Sequence, residues 1–219
     1  MLIKKIAFVL LAYLIGSIPF GYIIGKIKGV DVRKVGSKNI GATNTARALG
    51  KKYFALTFLL DMSKGALLVA LFRYNIIDAK YCLLNPMIYG LAACLGHSFP
   101  IFLKFKGGKC VSCGCGCVSA YCPLLLLVAI ITFVVTLLIT KMVSIGSLIG
   151  ATSVFIGALI ISLVTKDFNL NISTYPIDSF WPYNYLFVLI TFVIVILIWV
   201  KHKSNIQRIL AGTENKIKK

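Results

Sequence analysis

Long uninterrupted apolar segments constrain the fold of this chain more than any other feature. Residues 186–200 read Leu-Phe-Val-Leu-Ile-Thr-Phe-Val-Ile-Val-Ile-Leu-Ile-Trp-Val, without a charged side chain. About 20 such residues in a helix cross the hydrocarbon core of a bilayer, and a helix satisfies its own backbone hydrogen bonds there. With 59% hydrophobic residues and a mean hydropathy of +0.92, the chain is far more apolar than a soluble domain. The sequence therefore predicts an all-α, polytopic integral membrane protein.

We expect about seven transmembrane helices, which form a single domain over residues 1–219. Only Cys122-Pro123 separates the fourth span from the fifth, so one long kinked helix, and six spans, is the alternative. The predicted spans are residues 5–25, 54–72, 83–102, 111–122, 124–140, 145–164 and 184–200.

The distribution of charge predicts how these helices are oriented. The net charge is +18, and with seven spans most of the 24 Lys and Arg residues fall on one side of the membrane. Loops rich in Lys and Arg stay in the cytoplasm, so we expect the N-terminus outside and the C-terminus inside. The same charge attracts membrane lipids and anionic substrates. Because the basic residues follow the loops, nucleic acid is not an expected partner.

Residues 96–109, Gly-His-Ser-Phe-Pro-Ile-Phe-Leu-Lys-Phe-Lys-Gly-Gly-Lys, place polar and basic groups between two apolar segments. Gly107 and Gly108 allow backbone N–H groups to approach an anion, and Lys109 supplies a countercharge. The segment is not a nucleotide-binding P-loop, since Leu103 replaces its first glycine and Cys110 replaces the Ser or Thr that holds magnesium. We therefore expect an anion site at a membrane face.

The second polar segment, residues 36–47, reads Gly-Ser-Lys-Asn-Ile-Gly-Ala-Thr-Asn-Thr-Ala-Arg. Its hydroxyl and amide groups suit a small polyhydroxyl or phosphorylated molecule, and the Arg47 fork suits a phosphate. The alternative interpretation is a loop whose Ser, Asn and Thr side chains cap a helix. Both segments, with residues 140–147, fall on the predicted cytoplasmic side, which favours one site built from three loops.

His97 is either a structural hydrogen-bonding residue at the end of a span or part of the reacting region. The sequence lacks a His-x4-Asp arrangement, because Phe102 stands at that spacing from His97. It also lacks the Gly-x-Ser-x-Gly elbow of serine hydrolases. Any chemistry in this chain must then rely on positioning and on neutralisation of charge.

Two further groups have structural alternatives. Asp61 and Lys64 share one face of the second span, where a local ion pair competes with proton coupling in a transporter. Among seven cysteines, Cys110, Cys113 and Cys117 share one helical face. Zinc or iron–sulfur binding is one interpretation, but small apolar residues in a packed span are the expected one, so no metal is predicted.

Several motifs occur in one order along the chain: residues 36–44, 96–109, Val143-Ser-Ile-Gly-Ser147 and a tail from Asn205 to Asn215. Together they resemble the bacterial acyl-phosphate:glycerol-3-phosphate acyltransferases over essentially the whole chain. The resemblance implies an inner-membrane enzyme that transfers an acyl group from acyl phosphate to glycerol 3-phosphate. Its products are lysophosphatidic acid and inorganic phosphate, in the first acylation of phospholipid synthesis. It implies no cofactor, and an enzyme that supplies acyl phosphate as a partner.

The resemblance also implies roles for residues. Ser37 and His97 are the expected catalytic residues, with His97 hydrogen-bonding in the reacting region. Glycerol 3-phosphate is expected on the first loop, through Ser37, Asn39, Thr43 and Arg47. A phosphate of the donor is expected at Gly107, Gly108 and Lys109. Further substrate-binding candidates are Ser112, Lys141, Ser144, Ser147 and Asn205.

The chain departs from the family pattern at several positions. Cys110 and Lys38 stand at usual glycines, Cys113 at a usual threonine, and Lys141-Met142 at a usual Arg-Tyr. The Ser112 hydroxyl is a candidate substitute for the missing threonine. The alternative function is a small membrane transporter or anion-binding protein with a basic cytoplasmic pocket. A transporter places its site near mid-membrane, whereas these polar groups lie at one face, which favours the enzyme.

Overall fold

The computed structural model describes residues 1–167 and 185–217, and throughout them the regular structure is helical. Residues 1–121 and residues 122–219 form two compact units, each described by itself. The single-domain interpretation stays a prediction. The first unit contains α1 (Leu2–Gly16), α2 (Phe20–Ile27), α3 (Ala42–Leu49), α4 (Lys52–Arg73), α5 (Met87–Ser98) and α6 (Val111–Tyr121). The second contains α7 (Pro123–Thr140), α8 (Val143–Asp167), α9 (Tyr185–Lys201) and α10 (Lys203–Leu210).

Four helical stretches are long and apolar enough to cross a membrane: Leu2–Ile27, Lys52–Arg73, Pro123–Thr140 and Val143–Val164. A fifth is the pair α9 and α10, which bends by 57°. Two shorter apolar stretches, Met87–Leu103 and Val111–Tyr121, coincide with the third and fourth predicted spans. The prediction of an all-helical chain is therefore confirmed over the described residues, and the number of seven spans stays a prediction.

The first predicted span is two helices rather than one. Pro19 lacks a backbone N–H, so the chain leaves the helix between Gly16 and Phe20 and exposes carbonyl groups there. The ammonium group of Lys64, on α4, donates a hydrogen bond to the Ile18 carbonyl over 2.7 Å. A buried lysine thus stabilises the break between α1 and α2.

Small residues bring the helices of the first unit into close contact. A Cβ on Gly16 would lie 2.2 Å from the Ala93 carbonyl oxygen, which shows how closely α1 approaches α5. A Cβ on Gly65 would lie 2.1 Å from the carbonyl oxygen of Cys113, so α4 and α6 touch through their backbones. Packing through small residues is typical of membrane helices, where burial of apolar surface does not drive association. The contacts hold α5 and α6 in place. These two helices flank Gly107, Gly108 and Lys109, called the Gly-Gly-Lys segment below.

The boundary between α6 and α7 is a break in the helix at Cys122. Cys122 has φ −145° and ψ 86°, outside the helical region, and Pro123 begins α7. Proline is favourable in the first turn of a helix, where its missing N–H has no intrahelical partner. Two separate helices occur here instead of one long kinked helix.

Candidate active site

The Gly-Gly-Lys segment folds back onto the histidine that precedes it. The Gly108 N–H donates to the His97 carbonyl over 3.0 Å. A Cβ on Gly108 would come within 2.0 Å of His97 Nε2, and a Cβ on Gly107 would come within 2.2 Å of the His97 carbonyl oxygen. Both glycines are thus required by close contact, and neither has a positive φ. The contact gives a steric reason for the glycine pair in addition to the predicted approach of an anion.

Behind His97 lies the buried ion pair of α4. Asp61 Oδ1 lies 2.7 Å from Lys64 Nζ, and both side chains are 2% exposed. The same carboxylate oxygen lies 3.5 Å from His97 Nδ1. The predicted ion pair is therefore confirmed, and the structure adds His97 as a third member. His97 itself is 4% exposed, so its ring is held between Asp61 on one side and Gly108 on the other.

The start of α6 completes this loop. Lys109 is half-buried, Cys110 precedes the helix, and Ser112 lies half-buried in its first turn. The first N–H groups of a helix have no intrahelical acceptor and favour a negative charge. Cys110 has φ +68°, the left-handed region in which glycine is most comfortable. This backbone explains why the family pattern has glycine at that position.

A single buried asparagine holds the loop of residues 36–47 in shape. The Asn44 Oδ1 accepts the Ser37 N–H over 2.8 Å. Its Nδ2 lies within 3.0 Å of the carbonyl oxygens of Val32, Val35 and Asn39. Asn44 is 2% exposed, and its side chain connects the start of α3 to these three backbone carbonyls. It was not among the predicted site residues, although the Gly-Ala-Thr-Asn sequence contained it.

The alternative of a helix-capping loop is true for part of this segment. Asn39 Oδ1 accepts the Gly41 N–H over 2.9 Å, directly before α3. Within residues 1–167 and 185–217, by contrast, the Ser37 and Thr43 hydroxyls and the Arg47 guanidinium have no hydrogen bond to protein. Arg47 is exposed, and Ser37 and Thr43 are half-buried. These three side chains can therefore bind a ligand.

Both loops rest on the same helices of the first unit. A Cβ on Gly21 of α2 would lie 2.0 Å from the Ile40 carbonyl oxygen, so the first loop sits against α2. The chain immediately before α2 is tied to α4 by Lys64, whose partner Asp61 faces His97. The structure thus connects the two predicted loops through one buried cluster, the ion pair of Asp61 and Lys64 with the neighbouring His97.

In the second unit a carboxylate organises the predicted residues near α8 and α10. Glu214 accepts a hydrogen bond from the Ser144 hydroxyl, and its Oε1 lies 2.7 Å from Asn205 Nδ2. Arg208 Nε donates to Glu214 Oε2 over 2.8 Å. Burial alone would raise the pKa of Glu214, but the hydrogen bonds from Ser144, Asn205 and Arg208 lower it below its usual value. Sequence reasoning did not assign Glu214 a role.

The remaining predicted residues of this unit have backbone partners. The Ser147 hydroxyl donates to the Val143 carbonyl over 2.9 Å within α8. Lys141 directly follows α7 and has φ +60°. Its carbonyl accepts a hydrogen bond from the Ile217 N–H over 2.8 Å. Lys141 is exposed, whereas Ser144, Ser147 and Asn205 are buried. A role of these four residues in substrate binding stays a prediction.

A sequence model of one family, described as glycerol-3-phosphate acyltransferase, matches residues 6–212. The chain belongs to the glycerol-3-phosphate acyltransferase family. The enzyme of that name from Acholeplasma laidlawii is 42% identical over 219 residues, covering 95% of this chain and 91% of the relative. The one from Listeria monocytogenes serovar 1/2a is 42% identical over 222 residues, covering 100% of this chain and 99% of the relative.

Solved structures agree with membership of the acyltransferase family. The crystal structure of PlsY (YgiH), an integral membrane glycerol 3-phosphate acyltransferase, in its glycerol 3-phosphate form is 35% identical with a TM-score of 0.82. The match covers 98% of this chain and 96% of that one. The lysophosphatidic acid form is 34% identical with a TM-score of 0.79, covering 98% and 95%. The chain is thus a helical, multi-pass integral membrane protein, and its family does not favour a transporter.

Proposed function

We propose that this protein transfers an acyl group from acyl phosphate to glycerol 3-phosphate and releases lysophosphatidic acid and inorganic phosphate. The observation that carries the proposal is the pair of phosphate-suited loops in the first unit, each ending in a basic side chain. Membership of the acyltransferase family supports the same reaction. PlsY crystallised with glycerol 3-phosphate and with lysophosphatidic acid supports the acceptor and the product.

The acceptor binds to the loop of residues 36–47. Arg47 is exposed and can grip the phosphate of glycerol 3-phosphate through two parallel hydrogen bonds. Ser37 and Thr43 have hydroxyls directed to no protein partner among the described residues, and they orient the glycerol hydroxyls. Asn44 keeps their backbone in place from beneath. Because the loop is already ordered, its conformational entropy falls little when the ligand binds.

The donor phosphate binds at the Gly-Gly-Lys segment. Lys109 supplies a positive charge, and the free N–H groups at the start of α6 add hydrogen-bond donors with a favourable dipole. His97 supports this segment from below through its contact with Gly108. Since the ring is 4% exposed, we assign His97 a positioning role in place of the expected hydrogen bond to reacting groups.

The transfer needs no covalent enzyme intermediate, because acyl phosphate is an activated mixed anhydride. The acceptor hydroxyl oxygen forms a bond to the acyl carbon, and the bond from that carbon to the phosphate oxygen breaks. The hydroxyl proton passes to a phosphate oxygen of a substrate. The protein contributes orientation and stabilisation of the leaving phosphate. Acyl-labelled protein formed from the donor alone would contradict this direct transfer.

The same proposal places the active site on the cytoplasmic face of a bacterial inner membrane. It is supported by the many Lys and Arg residues in the loops that carry the site. Acyl phosphate, with its long apolar chain, enters from the membrane, and an enzyme in the cell must supply it. Labelling of single introduced cysteines at Lys51 and at Lys4 from the two sides of sealed vesicles tests the orientation. Labelling of both from the same side would contradict it.

The deciding experiment mixes purified protein in nanodiscs with acyl phosphate and labelled glycerol 3-phosphate. We expect lysophosphatidic acid and inorganic phosphate in equal amounts, and about tenfold less of both from R47A at a glycerol 3-phosphate concentration below the KM. The matched control is R33A, which should leave the rate unchanged because Arg33 is already paired with Asp31 over 2.8 Å. Absence of lysophosphatidic acid with acyl phosphate and also with acyl-CoA would overturn the proposal. Uptake of label into sealed vesicles without acylation would favour the transporter.

A further inference from the structure

Three of the seven cysteines converge on one buried point of the first unit, and a fourth buried cysteine precedes them on the chain at the start of α6. Cys94 comes from α5, Cys113 and Cys117 lie one turn apart on α6, and Cys110 directly precedes α6. Each of the four is 0% exposed. The sequence had grouped only the last three, and the packing of α5 against α6 adds the fourth.

The spacing of the sulfur atoms suits a metal ion. Cys94 Sγ lies 3.7 Å from Cys117 Sγ and 3.9 Å from Cys113 Sγ. All three atoms lie within 4.8 Å of one another, and Cys110, which is also fully buried, lies three residues before Cys113 at the start of α6. Four sulfurs bound about 2.3 Å from a tetrahedral zinc ion stand about 3.8 Å apart. Little movement would be needed to close such a site.

The backbone at Cys110 points in the same direction. Its φ of +68° disfavours a residue with a Cβ, and glycine takes such conformations elsewhere in the chain, as at Gly36 and Gly29. Lys38 and Lys104 adopt the same conformation, so the chain tolerates its cost at other positions. Coordination of a metal by the Cys110 sulfur would offset that cost here.

The position of the cluster also accommodates its charge. Four thiolates around a divalent ion leave a negative charge inside the protein, which is unfavourable away from water. Cys110 and Cys113 lie at the start of α6, where the helix dipole favours a negative charge. The same feature stabilises thiolates in other helix N-terminal sites.

We propose that Cys94, Cys110, Cys113 and Cys117 bind one zinc ion beneath the Gly-Gly-Lys segment. Thiolate ligands select soft metals, and four of them in a tetrahedral arrangement form a closed structural zinc site. The ion joins α5 to α6 and holds Cys110, the residue that follows Lys109, in place. This proposal revises the prediction that the chain binds no metal, which took the cysteines as small apolar residues in a packed span.

The test measures metal content and coordination, and does not use activity. The full chain is purified with a reductant and without chelators, and its metals are counted by mass spectrometry. We expect about one zinc ion per chain. Titration of the metal-free protein with Co²⁺ should give the sulfur-to-cobalt charge-transfer bands of tetrahedral thiolate coordination. C94S and C113S should each lower metal content and Co²⁺ affinity at least tenfold.

The matched control is C115S, because Cys115 lies on α6 but outside the cluster; it should retain the metal in full. If C113S does not fold, C94S on the other helix and the Co²⁺ titration of the unchanged protein still decide the result. No metal on purification together with no thiolate bands would overturn the proposal, and stoichiometric copper would overturn the choice of zinc. Acyl transfer is measured separately, so failure of one proposal is distinguishable from failure of the other.

Discussion

Gly108 lies directly against the imidazole of His97, so closely that a Cβ on Gly108 would stand 2.0 Å from Nε2. The contact makes the histidine a support of the Gly-Gly-Lys segment. We predict that G108A shifts the segment and destabilises the protein by about 2 kcal/mol, as overpacked sites do. The KM for acyl phosphate should rise more than the KM for glycerol 3-phosphate. Thermal unfolding and steady-state kinetics measure the two effects.

A double variant separates the steric effect from other losses. In G108A/H97A the ring that meets the new methyl group is gone, so the two changes should be non-additive by about 1 kcal/mol or more. Strict additivity of the two unfolding free energies would contradict the contact. The single variant H97A measures how much His97 contributes to the free energy of unfolding when Gly108 is unchanged.

The buried pair of Asp61 and Lys64 should be sensitive to loss of one partner. D61N leaves the Lys64 ammonium buried without its carboxylate, which we expect to destabilise the protein by about 3 kcal/mol. The exposed pair of Asp78 and Lys80, 2.8 Å apart, is the control, and D78N should leave the melting temperature unchanged. Equal effects of D61N and D78N would show that burial does not matter for the α4 pair.

Lys38 has φ +58° at a position where the family pattern has glycine. A left-handed conformation costs a residue with a Cβ about 1 kcal/mol, so K38G should stabilise the protein by about that amount. C110G removes the same type of strain at φ +68°, but it also removes a thiol of the buried cluster. Its gain should therefore be smaller than that of K38G in a thermal melt. A larger gain for C110G would contradict a stabilising role of the thiol.

We predict that the stability of the folded protein depends on pH through Glu214. Hydrogen bonds outweigh burial and hold its pKa below the unfolded value, so the ionised form stabilises the folded state. This contribution is complete above the unfolded pKa of about 4.3 and is lost as the pH falls through the lower, folded-state pKa. The difference in melting temperature between the natural protein and E214Q should be large at pH of about 6 and shrink at about 3.5. A difference independent of pH would contradict the assignment.

Local features of the sequence predicted much of the fold and part of the site. Apolar length gave the helices, and the spacing of Asp61 and Lys64 gave the ion pair. The predicted span over residues 5–25 did not include the break at Pro19, and the partner of the freed carbonyl, Lys64, is 46 residues away. Gly107 and Gly108 predict the approach of an anion from the sequence, and the structure adds their contact with His97.

Contacts between distant segments could not be predicted from one sequence. Cys94 reaches Cys113 and Cys117 only because α5 packs beside α6, and no periodicity within either helix indicates that packing. Glu214 meets Ser144 across 70 residues. Asn44 differs, since it belongs to the polar motif of residues 36–44 and lies in the first turn of α3. Its role as the buried centre of that loop depends on three carbonyls that only folding brings together.

The central claim is that the two loops bind different phosphates, and the KM values of two variants test it most directly. R47A should raise the KM for glycerol 3-phosphate about tenfold or more, the value of a charge-assisted hydrogen-bond pair, with little change in the KM for acyl phosphate. K109A should do the reverse. If both variants raise the KM of the same substrate, or change neither, the assignment of one loop to each phosphate is wrong.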